Sequence, residues 1–266
     1  MKNPQCQRSQ QGFTLAELLV SSVVFLLLAG SAFSLLSTSS QRFKTDSQVL
    51  TSFQEARLGI DQISRDIADA GYPPRSRFSI AAPATNLYTA APFAWMPNYP
   101  PTPCTLGGSC TIPNGFDLIV ETDVDPQNNN GVEWVRYQLL AGSTTLFRAV
   151  VSKPAGGNNP DGSTSGAGVL LPYLQNVMNN ATAAQIGSIR AAYPTMFPGG
   201  NPVPIFTYTC DVSGSNPAPC TGANTPADIR DVDITLIVQS FDRDTKTNVL
   251  RLVELHGLGH RVNPNT

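Results

Sequence analysis

The segment from Phe13 to Leu36 constrains this chain more than any other part of its sequence. It reads FTLAELLVSSVVFLLLAGSAFSLL, 24 residues in which Glu17 is the only charged side chain. A helix rises about 1.5 Å per residue, so a helix of this length spans the roughly 30 Å hydrocarbon core of a bilayer. The sequence therefore predicts a membrane-spanning helix over residues 13–36.

The residues before this segment predict its orientation. They read MKNPQCQRSQQG and contain Lys2 and Arg8 but no acid. Positive charge ahead of a first apolar segment keeps that end in the cytoplasm, so we expect the rest of the chain to lie outside it. An ordinary secretory signal peptide, cut near Ala29-Gly30-Ser31, is the alternative. It fits less well because its apolar core would be only about 7–15 residues long.

Beyond the apolar segment, residues 37–71 predict an amphipathic continuation of the helix. Apolar residues spaced alternately by four and three form one stripe: Val49, Phe53, Ala56, Ile60, Ile63, Ile67 and Ala70. This spacing places them on one face of a helix, ready to pack on a domain. The sequence Gly71-Tyr72-Pro73-Pro74 then ends it. We therefore expect one helix from Phe13 to Ala70.

Residues 72–266 predict a β-rich domain outside the cytoplasm. The chain's 22 prolines and 21 glycines favour turns and long loops over a helical bundle. Runs rich in β-branched and aromatic residues predict strands at 116–121, 132–139, 145–151, 169–174, 204–209, 229–241 and 249–258. The second and third of these strands predict a hairpin. The expected fold class is α+β, with a long N-terminal helix against an antiparallel sheet.

Four cysteines of this domain form two local pairs, Cys104 with Cys110 and Cys210 with Cys220. No C-x-x-C spacing occurs, which disfavours a zinc site. Because the domain is expected in an oxidising compartment, two short disulfide-closed loops are the better interpretation. Spacing alone leaves the other connectivities open.

Residues 11–20, QGFTLAELLV, resemble the prepilin signature G-F-T-L-x-E-L-L-V of type IV pilins and type II secretion pseudopilins. The resemblance implies a pilin-like fold and a leader of residues 1–12, which a prepilin peptidase cuts after Gly12 before N-methylating Phe13. It also implies that Glu17 pairs with the terminal amine of a neighbouring subunit during assembly. The residues alone allow a second interpretation, in which Glu17 snorkels near the interface and benefits from the positive end of the helix dipole.

The resemblance also implies the partners and the location of the chain. The partners are other pilin subunits, prepilin peptidase, the inner-membrane assembly platform and membrane lipid. The expected location is the inner membrane, crossed once, and then an extracellular or periplasmic filament. The net charge of −2 and the absence of a Lys/Arg block predict no direct binding of nucleic acid.

Two further stretches carry a weaker resemblance. Residues 62–71, QISRDIADAG, are similar to the Q-L-x-R-D-L-R-x-A-G stretch of PilW-type minor pilins and J-type pseudopilins. Residues 135–139, VRYQL, followed by LFR at 146–148, resemble the hairpin V-R-Y-x-L…L-x-R of the same proteins. Both stretches favour an accessory, minor subunit and leave the choice between pilus and type II secretion system open.

One polar loop allows a calcium hypothesis. Asp123, Asp125, Asn128 and Asn130 offer the carboxylate and amide oxygens that calcium prefers in flexible loops. A polar hairpin loop rich in turn-forming residues is the alternative. No other cofactor is predicted.

Neither the two histidines nor any catalytic motif gives a strong indication of a metal or catalytic site. His256 and His260 are four residues apart with Glu254 nearby, but they lie in a strand-like segment where this spacing does not bring them together. The sequence contains no G-x-S-x-G motif, P-loop or dinucleotide fingerprint. We therefore expect a structural protein rather than an enzyme.

The proline-rich segment 72–115 suggests an alternative function as a binding module, such as an adhesin carried on a filament. It contains four aromatic residues that we expect either to form an exposed ligand-contacting patch or to pack the loop onto the domain: Tyr88, Phe93, Trp95 and Tyr99.

Overall fold

The computed structural model describes residues 13–79, 83–99, 102–127, 131–156, 160, 169–211, 217–244 and 249–263. The chain divides into two compact units, Met1–Ser47 and Gln48–Thr266. The boundary lies inside the long N-terminal helix, α1, which spans Leu15–Ala68. The helix predicted from Phe13 to Ala70 is confirmed to within two residues at each end.

The N-terminal unit holds the apolar part of α1. Its most apolar 18-residue window has a mean hydropathy of 2.3, and none of that window is buried. By length and composition α1 is long and apolar enough to cross a membrane, and it is the single such helix among the residues that the structure describes.

The second unit contains nine strands and a second helix in its described part. The elements are β1 (Phe93–Ala94), β2 (Asp117–Thr122), β3 (Glu133–Gln138), β4 (Leu146–Ser152), β5 (Leu171–Leu174), α2 (Ala183–Arg190), β6 (Phe206–Cys210), β7 (Ala218–Pro219), β8 (Ile229–Arg243) and β9 (Leu250–His260). Every predicted strand is present, whereas β1, β7 and α2 were not predicted.

The strands form two antiparallel sheets rather than one. The first has the order β1-β2-β3-β4-β5 and the second the order β7-β6-β8-β9. The predicted hairpin is confirmed as β3 and β4, with Val135 opposite Val150. The α+β architecture, a long helix packed on antiparallel sheets, is as the sequence predicts.

The apolar stripe of α1 packs into the main core of the second unit. Five stripe residues are buried there: Ala56, Ile60, Ile63, Ile67 and Ala70. They meet strand residues of both sheets, including Val120 and Tyr137 of the first sheet and Val232 and Ile234 of the second. Burying apolar surface of this kind stabilises the fold by about 25 cal/mol per Å². The helix is thus part of the core of the domain.

Distant residues cap the C-terminal end of α1. Gly71 adopts a φ of 84°, the left-handed conformation common at helix ends. The Val262 amide donates to the Ala68 carbonyl at 3.3 Å, and the Asn263 side chain donates to the Ala70 carbonyl at 3.2 Å. Carbonyl groups that have no partner within a helix are satisfied here by residues that follow β9.

Two glycines of β9 allow α1 to approach this strand closely. A Cβ atom on Gly259 would lie 2.7 Å from Ile67 Cδ1, and one on Gly257 would collide with Ile60. We therefore expect Gly259→Ala to lower the free energy of unfolding by about 1–3 kcal/mol, because it overpacks the contact between helix and strand. Thermal unfolding of the full chain in detergent measures this.

Gly187, inside α2, is the matched control for this substitution. A Cβ atom there meets nothing within 4 Å. Gly187→Ala should therefore stabilise the chain by roughly 0.5–1 kcal/mol through higher helix propensity. Equal effects of the two substitutions would show that the close contact at Gly259 does not matter.

The helix α2 covers the second sheet with a small core of its own. Thr182 is the N-cap, and Gln185 completes a capping box with it. Ile186 packs with Met178, Phe197 and the β8 residue Ile237 in this core. The capping-box pattern T-x-x-Q is the sequence signal that could have predicted this helix.

Candidate assembly site

Thr14 and Glu17 form a capping box at the start of α1. The amide and the hydroxyl of Thr14 donate to Glu17 Oε2 at 3.0 and 2.9 Å, and the Glu17 amide donates to Thr14 Oγ1 at 3.3 Å. This arrangement satisfies amide groups that a helix start leaves without partners. It also holds the Glu17 carboxylate beside Phe13.

The carboxylate keeps capacity for a further partner. A carboxylate has two oxygens and about four lone-pair positions. The contacts with Thr14 all use Oε2, and the side chain of Glu17 is exposed. An ammonium group from another molecule can therefore approach it without unfolding the start of the helix.

The surface around this carboxylate is apolar and uncovered. Phe13 is 81% exposed, and Leu18 and Val20 are exposed as well. Apolar surface of this extent is unfavourable in water and marks a site for lipid or for other helices. An acid in such surroundings is costly unless a cation pairs with it, and charged groups within membrane segments usually mark function.

Residues 7–33 match the family model described as the prokaryotic N-terminal methylation motif. The chain carries the type IV pilin and pseudopilin signature. This signature is typical of structural subunits rather than enzymes, and it does not determine the subfamily. No curated protein and no solved structure matches the chain.

The matched residues of the methylation motif include Gly12, Phe13 and Glu17. Phe13 and Glu17 lie in the part of the chain that the structure describes, at the capping box. Gly12 and the remainder of the leader, residues 1–12, lie outside the described residues. The peptide bond that is predicted to be cut, between Gly12 and Phe13, therefore lies at the first described residue, just before the start of α1.

Both cysteine pairs are disulfide-bonded in the structure. The Cα atoms are 4.9 Å apart for Cys104 and Cys110 and 5.0 Å apart for Cys210 and Cys220. The first bond closes a loop beside β1, and the second ties β6 to its neighbour β7. Each bond restricts a loop that has little regular structure of its own.

The aromatic residues of segment 72–115 pack inward rather than forming a ligand patch. Phe93 and Tyr99 are buried, and Trp95 is 7% exposed, while Tyr88 is partly buried. The ring of Tyr99 packs edge-on against both Trp95 and the β3 residue Trp134. The interpretation of these residues as exposed ligand contacts is therefore wrong for Phe93, Trp95 and Tyr99. Trp134, far along the chain, lies in one core cluster with Trp95 and Tyr99, whereas Phe93 belongs to the main core.

A buried ion pair fastens the same segment to the first sheet. Glu121 of β2 and Lys153, which follows β4, are both buried, and Lys153 Nζ donates to Glu121 Oε1. The Ala90 amide donates to the same oxygen at 2.9 Å, and the Tyr99 hydroxyl donates to Oε2. Lys153 also donates to the Tyr88 carbonyl at 3.1 Å. Sequence reasoning missed this cluster because its members are spread over more than 60 residues.

A second polar cluster joins α1 to the first sheet. Asp66 Oδ2 accepts hydrogen bonds from the Tyr137 hydroxyl at 2.5 Å and from Arg148 Nη2 at 3.0 Å, and Gln62 donates to Oδ1 at 2.8 Å. Burial beside Asp66 raises the pKa of Tyr137 far above its usual range. The four residues belong to the two stretches that resemble minor pilins. Because both stretches resemble the same proteins, the resemblance could have predicted that these four residues lie close together.

The candidate calcium ligands Asp123 and Asp125 lie in an acidic turn between β2 and β3. Asp123 Oδ1 accepts from the Asp125 amide at 3.1 Å, and Glu133 Oε2 accepts from the Val124 amide at 2.9 Å. The candidate ligands Asn128 and Asn130 lie outside the described residues. Within the described ranges, no three His, Cys, Asp or Glu side chains are gathered as a metal site requires.

The carboxyl groups of this turn have raised pKa values. Burial raises the pKa of both Asp123 and Glu133, and the charge of Asp125 adds to the effect on each. A carboxyl group whose pKa is higher in the folded than in the unfolded state binds protons more tightly when folded. Its contribution to stability is present at low pH and is lost as pH rises through the folded-state pKa.

We therefore expect Asp123→Asn to raise the melting temperature at neutral pH, because it removes an unfavourable charge. The difference from the parent chain should vanish below about pH 3, where Asp123 is protonated in both the folded and the unfolded state. Thermal melts of both chains across this range measure the difference. The control is Asp61→Asn on the exposed face of α1. A benefit of Asp123→Asn that persists at low pH would contradict this origin.

The two histidines contact different carboxylates. His260 contacts Asp231 on the neighbouring strand β8, and His256 Nε2 lies 3.5 Å from Glu254 Oε1. Each histidine thus has a separate carboxylate partner on the outer face of the second sheet. The expectation that their spacing does not bring them together agrees with this arrangement.

Proposed function

We propose that the chain is a minor subunit of a type IV pilus-like filament, made as a prepilin and assembled through its N-terminal helix. The methylation motif, placed at the start of an uncovered apolar helix, is the observation that carries this proposal. The function is structural, and the domain after residue 72 is the part presented outside the membrane.

Processing follows from the motif. A prepilin peptidase cuts after Gly12 and N-methylates the new terminus at Phe13. Cleavage places a terminal amine directly before Thr14 and Glu17, at the positive end of the helix dipole. The new amine is then close to the surface that neighbouring subunits use.

Assembly pairs charges that would otherwise be unfavourable in an apolar setting. The Glu17 carboxylate of one subunit pairs with the Phe13 amine of its neighbour. Before this pairing, the capping box keeps the carboxylate at the start of the helix. A buried ion pair specifies register more clearly than it adds stability. The pair therefore fixes the axial position of each helix within the bundle.

The proposed location agrees with the disulfides. A single pass through the inner membrane, with residues 1–12 in the cytoplasm, places both cysteine pairs in an oxidising compartment where such bonds persist. The proposed partners of the chain are prepilin peptidase, the inner-membrane assembly platform, membrane lipid and other pilin subunits.

The cluster of Asp66, Tyr137 and Arg148 supports the minor-pilin subtype, because it accounts for the residues of the weaker resemblance. A type II secretion pseudopilin is the alternative within the same class.

Intact mass and N-terminal analysis of the full chain from its native membrane test the proposal. We expect a chain that starts at N-methylated Phe13. In the matched variant Gly12→Leu, which removes the small residue before the cut, we expect the leader to remain. A parent chain that still starts at Met1 in cells with active prepilin peptidase would overturn the proposal.

A further inference from the structure

The outer edges of the two sheets are not protected alike. The first sheet ends at β1, of two residues, and at β5, of four residues that include Pro172. The second sheet ends on one side at β7, two residues long and closing on Pro219. Short strands and prolines at an edge are the devices by which proteins prevent unwanted strand pairing.

The fourth edge lacks these devices. β9 runs for eleven residues, Leu250–His260, and contains no proline. In the described part of the chain it pairs with β8 alone and forms the end of the second sheet. A long edge strand of this kind presents a row of amide and carbonyl groups to any extended chain that reaches it.

The register of β9 shows which residues direct these groups outward. The Arg261 amide donates to the Arg230 carbonyl at 3.0 Å, which marks this pair as hydrogen-bonded. Because hydrogen-bonded pairs alternate along an antiparallel ladder, Gly257 and Gly259 also bond to β8. Their neighbours His256 and Leu258 therefore direct their amide and carbonyl groups toward the free edge.

The side chains of the same residues point away from the core. Leu258 is 57% exposed and His256 is exposed, whereas the intervening Gly257 faces Ile60 of α1. Leu258 lies opposite the exposed Asp233 of β8, and Glu254 lies four residues before it. An added strand would thus meet Leu258 between His256 and His260, with the carboxylates of Glu254 and Asp233 nearby.

We propose, on the basis of the filament function above, that β9 binds an extended segment of a neighbouring filament subunit by strand addition. Main-chain hydrogen bonds along the edge supply affinity, and alternate side chains supply specificity. The segment carries an apolar residue opposite Leu258 and a basic residue opposite Glu254, four positions apart, which complements the carboxylates of this face.

A second β9 strand does not fit this edge in a filament. Two identical strands that pair in antiparallel fashion are related by a two-fold axis, which turns one domain by half a turn relative to the other. A two-fold contact closes on itself as a pair, whereas the subunits of a filament are related by a rotation with a rise along one axis. The contact is therefore heterologous, between β9 and a different segment of the neighbour.

Leu258→Pro and Leu258→Thr together test the edge. Proline removes an amide that points outward and leaves the bonds to β8 in place, while threonine removes the same apolar side chain and keeps the amide. We expect the full-length Pro variant to fall about tenfold below the Thr variant in sheared filaments, because one backbone bond and the close approach of the strand are lost. Equal recovery of the two variants would overturn strand addition. If the parent chain itself were missing from filaments, the proposed function would fail instead.

A photo-cross-linking residue at position 256 of the full chain gives a second measurement, which does not require the Pro variant to fold. Mass spectrometry of cross-linked filaments should identify an extended segment of a neighbouring subunit. A cross-link to β9 of a second copy, or no cross-link in filaments that contain the chain, would overturn the proposal.

Discussion

Glu17→Ala is expected to remove the chain from filaments while leaving it in the membrane. Breaking a buried ion pair by removing one partner costs about 3–5 kcal/mol, which corresponds to a loss of incorporation of roughly a hundredfold to several thousandfold. Membrane insertion should persist because alanine makes the segment 13–36 more apolar. The measurement compares the amount of chain in sheared filaments with the amount in the membrane fraction.

Ser21→Ala, one turn further along the same helix, is the matched control. Ser21 donates to the Leu18 carbonyl within its own helix, so its replacement should leave incorporation unchanged. Normal incorporation of Glu17→Ala would contradict the pairing role. Equal losses in the two variants would show that the segment is sensitive to any polar change.

Lys153→Met is expected to destabilise the domain strongly. It leaves the Glu121 carboxylate buried with the hydrogen bonds from Ala90 and Tyr99 but without a cation. We expect the free energy of unfolding to fall by about 3–5 kcal/mol. Thermal unfolding of the full chain in detergent measures the loss.

The double variant Glu121→Gln/Lys153→Met distinguishes the pair from its packing. It removes both charges at similar volume, so it should recover much of the loss. Arg230→Ala breaks the exposed pair with Asp211 and should change stability by less than about 1 kcal/mol. A Lys153→Met variant as stable as Arg230→Ala would show that the buried charges are not coupled.

Local patterns predicted most of the secondary structure. The stripe from Ala56 to Ala70 and the alternation in β8 are properties of neighbouring residues, so a single sequence displays them. The helix α2 was missed because it has eight residues, one of them Gly187, and its capping box was its one clear signal. The division into two sheets depends on pairing between distant strands, which periodicity does not encode.

The candidate assembly site is marked by a local sequence pattern, whereas the buried cluster around Glu121 depends on residues that are distant in the chain. The methylation motif, which includes Gly12, Phe13 and Glu17, can be recognised from the sequence because it is linear. The packing of Trp95 and Tyr99 onto the domain was one of two expectations from the sequence, and contacts with Trp134 and Glu121 of the first sheet decide between them. Residues that look like an exposed patch in sequence are covered once these partners are brought beside them.

The cap on α1 sets the order in which the chain can fold. Asn263 lies 194 residues beyond Asp69, whose carbonyl it also contacts, and the glycines of β9 that receive Ile60 and Ile67 come almost as late. A helix forms within microseconds, but contacts of such long sequence separation close slowly. In the proposed topology, the apolar stripe of α1 is exported before β9, because it precedes β9 in the chain. Under that topology, export of the domain rather than formation of the helix sets how long the stripe is exposed.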